Sequence, residues 1–429
     1  MKTHHNNHVL GRKRRALFIT FNLFRPGDSK PTLSIGSIFG HLKNDPLLAE
    51  TLQLHHIPVN MFDYGANATE EDFRMWLSGH DLKSFDDIAI SAYVWNEYLI
   101  NPLISYLRKQ GFRGFILLGG YQIGYAERES LAQLYPEADV FIPGYAEESL
   151  LEWFKGMHTG PFPLILDRKM SYEDIPSPYL TGILDVPHGT QMVRLETKRG
   201  CPYRCHFCAH RDLTRNKLYK RPLDKVFDEI SFLTDRHVKR VNILDPVFNV
   251  GKEYLSVMEH INKVKNGTVF TLQSRFEKLD EDEGERFLEL AADGRYLLEF
   301  GLQTIHTTEM EAINRKNDMT KVRHAFSRLS TSGVQFEVSL IYGLPGQTVD
   351  SFRQSIDFAQ SNGAEVIKAY PLMLLRGTEM YSNKHQWGLK EESTGEFGIP
   401  VVTESNTFRR HEWEVMKQIA DGLEKTGRI

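Results

Sequence analysis

The sequence predicts an α/β chain of two domains, a doubly wound Rossmann-like domain followed by a partial (β/α)6 barrel of the TIM type. Two alternations of strand-like and helix-like segments carry that prediction, one over 15–156 and one over 191–384. The interval 157–190 separates them. It holds Pro161, Pro163, Pro176, Pro178 and Pro187 with little periodicity, and it reads as a linker crossing a surface.

In chain order, residues 1–14 read as a flexible, solvated tail. His4, His5, His8 and the basic run 12–15 lack the apolar stretch of a secretory signal, and three histidines without a scaffold make a poor metal site. Apolar, β-branched or aromatic runs at 16–21, 58–62, 88–92, 115–118 and 140–142 read as strands, with helical spacing at 101–109 and 127–134. Five strands alternating with five helices give a doubly wound parallel sheet. Gly119-Gly120, straight after the fourth strand, permits either close approach of a ligand or helix, or a tight turn.

From residue 191 the strand candidates are 192–197, 238–244, 269–272, 296–301, 334–342 and 366–370. Over 349–363, Val349, Phe352, Ile356 and Ala359 share one helical face and Gly363 follows as a stop. Six successive β/α units imply a partial barrel whose ligands sit at the carboxyl ends of the strands. The remainder, 385–429, reads as a helical extension built around an amphipathic segment at 413–423.

At roughly 150 residues per domain, 429 residues leave room for two or three domains and a large core. Lys and Arg number 52 against 56 Asp and Glu, so the net charge of −4 argues against nucleic acid as an obligate partner. No apolar run reaches the length of a membrane span. The expectation is a cytoplasmic protein with a small-molecule substrate and neither a membrane nor a nucleic-acid partner.

The only cysteines are Cys201, Cys205 and Cys208, an odd and clustered set that points to metal or redox chemistry rather than disulfides. A cubane iron-sulfur cluster takes one thiolate per iron, so three cysteines leave one iron open, as catalytic metal sites do. Gly200 and Pro202 favour a loop, which can wrap three thiolates around one cluster. On these residues alone a Cys3His zinc site using His206 or His210 remains a rival. So do three small core residues on one helical face, which Pro202 opposes, and a nucleophilic cysteine, for which no paired base is marked.

The spacing C-x3-C-x2-C, with an aromatic residue immediately before the last cysteine, resembles the signature of the radical S-adenosylmethionine (radical SAM) superfamily. Phe300-Gly301-Leu302-Gln303, Ile313-Asn314-Arg315, the run from Ile341 through Gly343-Leu344-Pro345-Gly346-Gln347-Thr348, and Tyr370-Pro371-Leu372 through Gly377-Thr378-Glu379 extend the resemblance along the barrel. The first domain, with Gly119-Gly120 and Gly144-Tyr145-Ala146-Glu147-Glu148, is similar to the cobalamin-binding domain that precedes the barrel in one large subclass. Asp174-Ile175-Pro176-Ser177-Pro178-Tyr179 resembles that subclass's linker. Several ordered motifs in one chain are more specific than any one alone, and they weigh heavily against zinc.

The resemblance implies that Cys201, Cys205 and Cys208 hold a [4Fe-4S] cluster whose open iron is chelated by the amino and carboxylate groups of S-adenosylmethionine (SAM). It places Phe207 near the adenine, Gln303 near the ribose hydroxyls, and Arg275 against the methionyl carboxylate. The ordinary readings are a surface ion pair for Arg275 and a barrel hydrogen bond for Gln303. Asp245 and Asn249 end the second barrel strand, where the subclass places polar residues, although Pro246 departs from the pattern. The histidine motif Asp-x-His-x-x-Gly that ligates cobalamin is absent. Either cobalamin binds without a histidine or the domain has kept its fold and lost the vitamin, and the second is favoured. No cysteine remains for an auxiliary cluster, which argues against methylthiotransferases. The implied activity is reductive cleavage of SAM, fed by an external one-electron donor such as flavodoxin or ferredoxin, with transfer of a methyl or 3-amino-3-carboxypropyl group to a small molecule. Hydrogen abstraction by a deoxyadenosyl radical and a non-catalytic zinc or iron-sulfur scaffold are the alternatives. Size and layout also resemble the aminocarboxypropyl-transferring enzymes of arsinothricin biosynthesis, without a residue that identifies their substrate.

Overall fold

A computed structural model of the chain describes residues 12–28, 32–210, 217–264 and 266–426. By contact the chain divides into two compact units, Met1–Asp185 with Thr394–Ile399, and Val186–Ser393 with Pro400–Ile429.

The first unit is built on strands β1 (Arg14–Asn22), β2 (Leu52–Asn60), β3 (Asp87–Ser91), β4 (Phe115–Gly119), β5 (Val140–Ile142) and β6 (Leu164–Ile165). They pair in the order β2-β1-β3-β4-β5-β6, every pair parallel. Side chains alternate across a strand. In β1, Leu17, Ile19 and Phe21 therefore enter one core, with Ile57, Val59, Leu103 and Leu118, while Ala16 and Phe18 enter another, with Leu117, Val140 and Trp153. Apolar cover on both faces is what a doubly wound parallel sheet requires. The order reverses between β1 and β3, the switch point beside which ligands bind in such sheets.

Three expectations change here. His4, His5 and His8 lie outside the described residues, but Arg12 and Arg14 do not belong to a solvated tail. Arg12 pairs with Asp86, and Arg14 opens β1 and donates to both oxygens of the fully buried Asp87 at 2.7 and 2.8 Å. The segment 157–190 is not a surface linker throughout: Leu164–Ile165 adds a sixth strand, and Met170, Tyr172, Ile175, Tyr179 and Leu184 are buried. The helix expected at 127–134 is a short turn, Arg128–Ser130, followed by a single helical turn, Leu131–Leu134.

The second unit carries β7 (Met192–Leu195), the short pair β8 (Lys198–Arg199) and β9 (Tyr219–Lys220), then β10 (Arg240–Ile243), β11 (Val269–Ser274), β12 (Tyr296–Gln303), β13 (Phe336–Tyr342) and β14 (Val366–Pro371). Six of these form a parallel sheet in the order β14-β13-β12-β11-β10-β7, so each new strand is laid beside the last. The helices Leu223–Asp235, Glu253–Lys263, Gly284–Ala291, Met319–Ser332 and Val349–Ser361 occupy the intervals. Val241, Ile243, Phe270, Leu272, Leu298, Phe300, Val338 and Leu340 are buried on one face. The alternate residues, Asn242, Thr271, Gln273, Glu299, Glu337 and Lys368, put polar groups on the other face, the inside of a partial barrel. The extension 385–429 is not wholly helical: a hairpin of β15 (Lys390–Thr394) and β16 (Ile399–Glu404) precedes the helix Arg410–Thr426.

His56 on β2 sets a pH limit on the first unit. Its Nε2 lies 2.8 Å from the Thr20 hydroxyl, and burial lowers its pKa to about 4. The unfolded imidazole titrates near 6.5, so the unfolded chain binds more protons between these values and stability falls with pH across that window. The full loss between pH 6.5 and 4 should be on the order of 3 kcal/mol. Urea unfolding of the wild type and of His56→Gln across this range checks it: the variant should show the shallower pH slope, and equal slopes would refute the assignment.

Candidate functional site

The cysteine loop leaves the sheet after β7, and a buried carboxylate fixes the point of departure. Asp245, just past β10, accepts from the backbone N–H of Thr197 at 2.8 Å and of Lys198 at 3.1 Å, and also from the Thr197 hydroxyl. Lys198 lies against it at 3.9 Å and donates to the carbonyls of Phe248 and Val250 at 2.6 and 2.9 Å. Burial raises the carboxyl pKa of Asp245 and lowers the ammonium pKa of Lys198, and in each the opposite charge of the other resists the shift. Asp245 thus holds backbone rather than facing a ligand. Gly200 then turns the chain with φ +87°, where a Cβ would stand 2.3 Å from the Lys217 carbonyl oxygen.

Beyond that turn the loop is fastened to neighbouring strand ends. Cys201 and Cys205 are buried and Cys208 is half-buried. The Cys208 N–H donates to the Cys205 carbonyl at 3.2 Å, and Asn314 Nδ2 donates to the Arg204 carbonyl at 2.8 Å. His206 is the most heavily tied. Its N–H donates to the Ile313 carbonyl at 2.9 Å and its carbonyl accepts from Met380 at 3.0 Å, while Nδ1 meets the Ala312 carbonyl and Nε2 lies 2.8 Å from Glu379. Both ring nitrogens are engaged, so His206 is not the fourth ligand of a zinc site. His210 is exposed, with its N–H on the Cys208 sulfur at 3.4 Å. Among the described residues no three His, Cys, Asp or Glu side chains converge as they would around a single metal ion. Zinc needs all its ligands about one point, whereas a cubane offers a separate iron to each thiolate. The donor set fits the cluster.

Charge near the thiols favours that chemistry. Burial pushes Cys208 up to about 11 and raises Cys201, and the positive charge of Arg315 opposes the shift in both, joined at Cys201 by Arg275. Arg315 hydrogen-bonds Cys205 and donates to the Gly301 carbonyl, while its Nε has no partner among the described residues. Arg275 is buried, its guanidinium 3.9 Å from the centre of the Tyr203 ring and 3.1 Å from Glu277. It is therefore an ion pair, but an interior one. Asn249 holds its backbone from both sides, accepting from Arg275 N–H and donating to Arg275 carbonyl at 2.9 Å each. The next residue, Phe276, is clamped between Phe300 and Phe326 with ring centres 4.5 Å apart.

Gln303 ends β12 at a register shift and carries φ +65°, an uncommon backbone for a residue with a side chain. It is buried, and its Oε1 has no partner among the described residues. No barrel hydrogen bond accounts for that oxygen. Gln303 thus combines strained backbone at a strand end with a buried amide oxygen unsatisfied among the described residues. Phe207 is half-buried on the cysteine loop. The sequence reading missed Tyr203, Glu277 and the place of Arg315. Arg315 lies in a motif that was legible, but nothing in the spacing shows its guanidinium turning back to Cys205.

In the first unit, Gly120 adopts φ +99°, and a Cβ there would meet the Ala92 carbonyl oxygen at 2.5 Å, so its role is the tight turn. Gly119 has nothing closer to its Cβ position than the Ile142 carbonyl at 3.7 Å and leaves that strand end open. Around it, Tyr93 stacks on Trp95 at 4.6 Å and Tyr121 is 44% exposed. The segments 92–96, 119–125 and 143–145 contain no histidine.

Residues 195–359 match the family described as the Radical SAM superfamily. The chain is 25% identical over 376 residues to the cobalamin-dependent radical SAM methyltransferase TokK of Streptomyces tokunonensis, covering 76% of this chain and 55% of that protein. It is 23% identical over 385 residues to the 2-(S-pantetheinyl)-carbapenam-3-carboxylate methyltransferase of Streptantibioticus cattleyicolor, with the same coverage. The chain thus spans about half the length of the curated relatives it matches. Among solved structures, the radical SAM methyltransferase TsrM of Kitasatospora setae superposes with a TM-score of 0.67 at 12% identity over 96% of this chain and 89% of that one. The cobalamin-dependent SAM radical enzyme OxsB does so at 0.62 and 15% identity over 97% and 62%. Residues 195–359 are a radical SAM domain, and the two units have the cobalamin-binding-like and partial-barrel folds of that subclass. No helix among the described residues is long and apolar enough to cross a membrane.

The turn at Gly200 is a test of the cysteine loop. Gly200→Ala puts a methyl into the Lys217 carbonyl at a backbone angle side chains avoid, and should cut iron bound after anaerobic reconstitution by more than half while far-ultraviolet dichroism stays unchanged. Full iron loading of the variant would refute the constraint.

Proposed function

We propose that the chain, a radical SAM enzyme, transfers a methyl group to a small molecule, with a [4Fe-4S] cluster on Cys201, Cys205 and Cys208 and cobalamin at the open strand ends of the first unit. The observation that carries the reading is the gathering, at the carboxyl ends of β7, β11 and β12, of three thiols, the buried Arg275, the half-buried Arg315 and a Gln303 oxygen unsatisfied among the described residues. The cluster would supply the electron that breaks a carbon-sulfur bond of SAM, and cobalamin a carrier for the methyl group. Everything else falls to the protein.

Gln303 Oε1 is placed to accept from a ribose hydroxyl, and Arg275, held by Asn249 and Phe276, to meet the methionyl carboxylate in exchange for Glu277. Phe207 offers a flat apolar surface to an adenine. Arg315 stabilises thiolate charge at Cys205. The absence of histidine at the strand ends of the first unit fits a corrin held without a protein ligand to its metal. The names of the two curated relatives given above, both methyltransferases, support methyl over aminocarboxypropyl transfer, and the name of the first, a cobalamin-dependent enzyme, supports cobalamin retention over its loss.

Anaerobic reconstitution with iron and sulfide, reduction by dithionite and chromatography of the nucleosides test the reading. A four-iron cluster, with adenosylhomocysteine formed only when cobalamin is added, is the expected result. Methylthioadenosine would redirect the reaction to aminocarboxypropyl transfer, and bound zinc without turnover would leave a scaffold. Gln303→Ala should keep its iron and raise the Michaelis constant for SAM by about tenfold. An unchanged constant would remove Gln303 from the site.

A further inference from the structure

On the inner face of the second unit's sheet, one pleat below the strand ends, lies a polar layer the proposed cofactors do not use. Glu299 precedes Gly301, and Gln273 precedes Arg275, by two residues, about 6.6 Å along a strand. Register sets Asn242 beside Thr271, Gln273 beside Glu299, and Glu299 beside Glu337. Part of this layer is self-contained, because Lys368 Nζ pairs with Glu337.

The other part is not. Among the described residues Glu299 receives a single long hydrogen bond, from Gln273 Nε2 at 3.4 Å. Thr271 is 8% exposed, yet its hydroxyl has no hydrogen-bond partner among the described residues. Asn242 Oδ1 has none either, and its Nδ2 is spent on the Met192 sulfur at 2.8 Å. Gln273 is exposed, so the layer is open to solvent. Burial and the Glu337 carboxylate push the pKa of Glu299 up, and the charges of Lys368 and Arg240 only partly offset this. Three neighbouring strands thus present acceptors, one of them a carboxylate set against another, with no cation among the described residues in contact with Glu299. Buried acceptors of this kind are costly unless something donates to them.

We infer that this layer binds a positively charged nitrogen group of the substrate, an ammonium or guanidinium, between Glu299, Thr271 and Asn242. The inference rests on the proposed function in taking the barrel interior as the substrate site. Cation and carboxylate would form a charge-assisted hydrogen bond on the inner face of the sheet, reached from solvent past Gln273, and Lys368 would keep Glu337 neutralised so that Glu299 alone reads the charge.

The test uses the reconstituted holoenzyme with two probes of one shape, methylguanidinium and neutral N-methylurea, in ligand-detected NMR titrations. Methylguanidinium should bind at least about tenfold more tightly. The preference should vanish in Glu299→Gln and weaken in Thr271→Val, with the melting temperature of each variant checking its fold. Equal binding of the probes to the wild type, no binding of methylguanidinium, or a preference that survives in a folded Glu299→Gln would each overturn the inference. The comparison in the wild type stands if a variant fails to fold. Cleavage of SAM in the same preparation needs neither probe: cleavage without discrimination sinks this inference alone, whereas absence of cleavage sinks the proposed function.

Discussion

Where a parallel strand ends, its backbone groups lose their neighbours, and in a closed interior they must be satisfied by something other than water. That constraint organises both units of this protein. Asp245 takes the N–H groups of Thr197 and Lys198. Asn249 takes both backbone groups of Arg275. Gln347 accepts from Gly343 and Leu344 at 2.7 and 3.1 Å and donates to the Ile341 carbonyl at 3.1 Å. In the first unit Asn96 does the same after β3, accepting from Tyr93 at 2.7 Å and donating to the Ser91 carbonyl at 2.8 Å. Several polar residues that resemble site residues by position are in fact the scaffold of the loops.

The distinction separates two kinds of buried polar group. Asp245 and Gln347 have their main acceptors filled by backbone, so they fix geometry and have little left to offer a ligand. Gln303 Oε1, Arg315 Nε, Thr271 Oγ1 and Asn242 Oδ1 are buried and unsatisfied among the described residues, and folding bears a desolvation cost for each. A protein keeps such groups where something else completes them. All four lie on β10, β11 or β12, or in the loop after β12, so these unfinished groups fall within three neighbouring strands of one sheet.

Strands buried on both faces were the legible part of the fold. β1, β3, β4 and β5 read as continuous apolar runs because both faces are covered. β2 is different. Expected at 58–62, it spans Leu52–Asn60, and as an edge strand it carries Gln53, His55 and His56, which interrupt the apolar run. Met170, Tyr172, Ile175 and Tyr179 pack without period, so no spacing marks their segment as interior. The hairpin of β15 and β16 was marked by Gly395 and Gly398, but short alternating strands between charged residues carry little apolar signal. The cysteine loop was legible in composition and spacing. The guanidinium of Arg315, fourteen residues past Gly301 and folded back on it, was not, because that contact belongs to the tertiary path of a loop.

That tertiary path also accounts for the curvature of the second sheet. β7 and β14 are its opposite edges, and five inter-strand spacings laid flat would hold them about 24 Å apart. Yet the loop after β7 meets the loop after β14, where Met380 donates to the His206 carbonyl at 3.0 Å and Glu379 lies 2.8 Å from the His206 ring. Loops alone could bridge some of that span, but the Cys205–Cys208 turn is at the same time fastened to Ile313 and Asn314 after β12. A point tied to the ends of strands in the middle and at both margins of a sheet can exist only if the sheet curls around it. The residue at that point, His206, stands between two cysteines, so the curl that makes the barrel and the placement of the thiols are one constraint. Whatever binds the thiols therefore sits over the mouth of the polar inner face, with Glu299 and Thr271 one layer beneath.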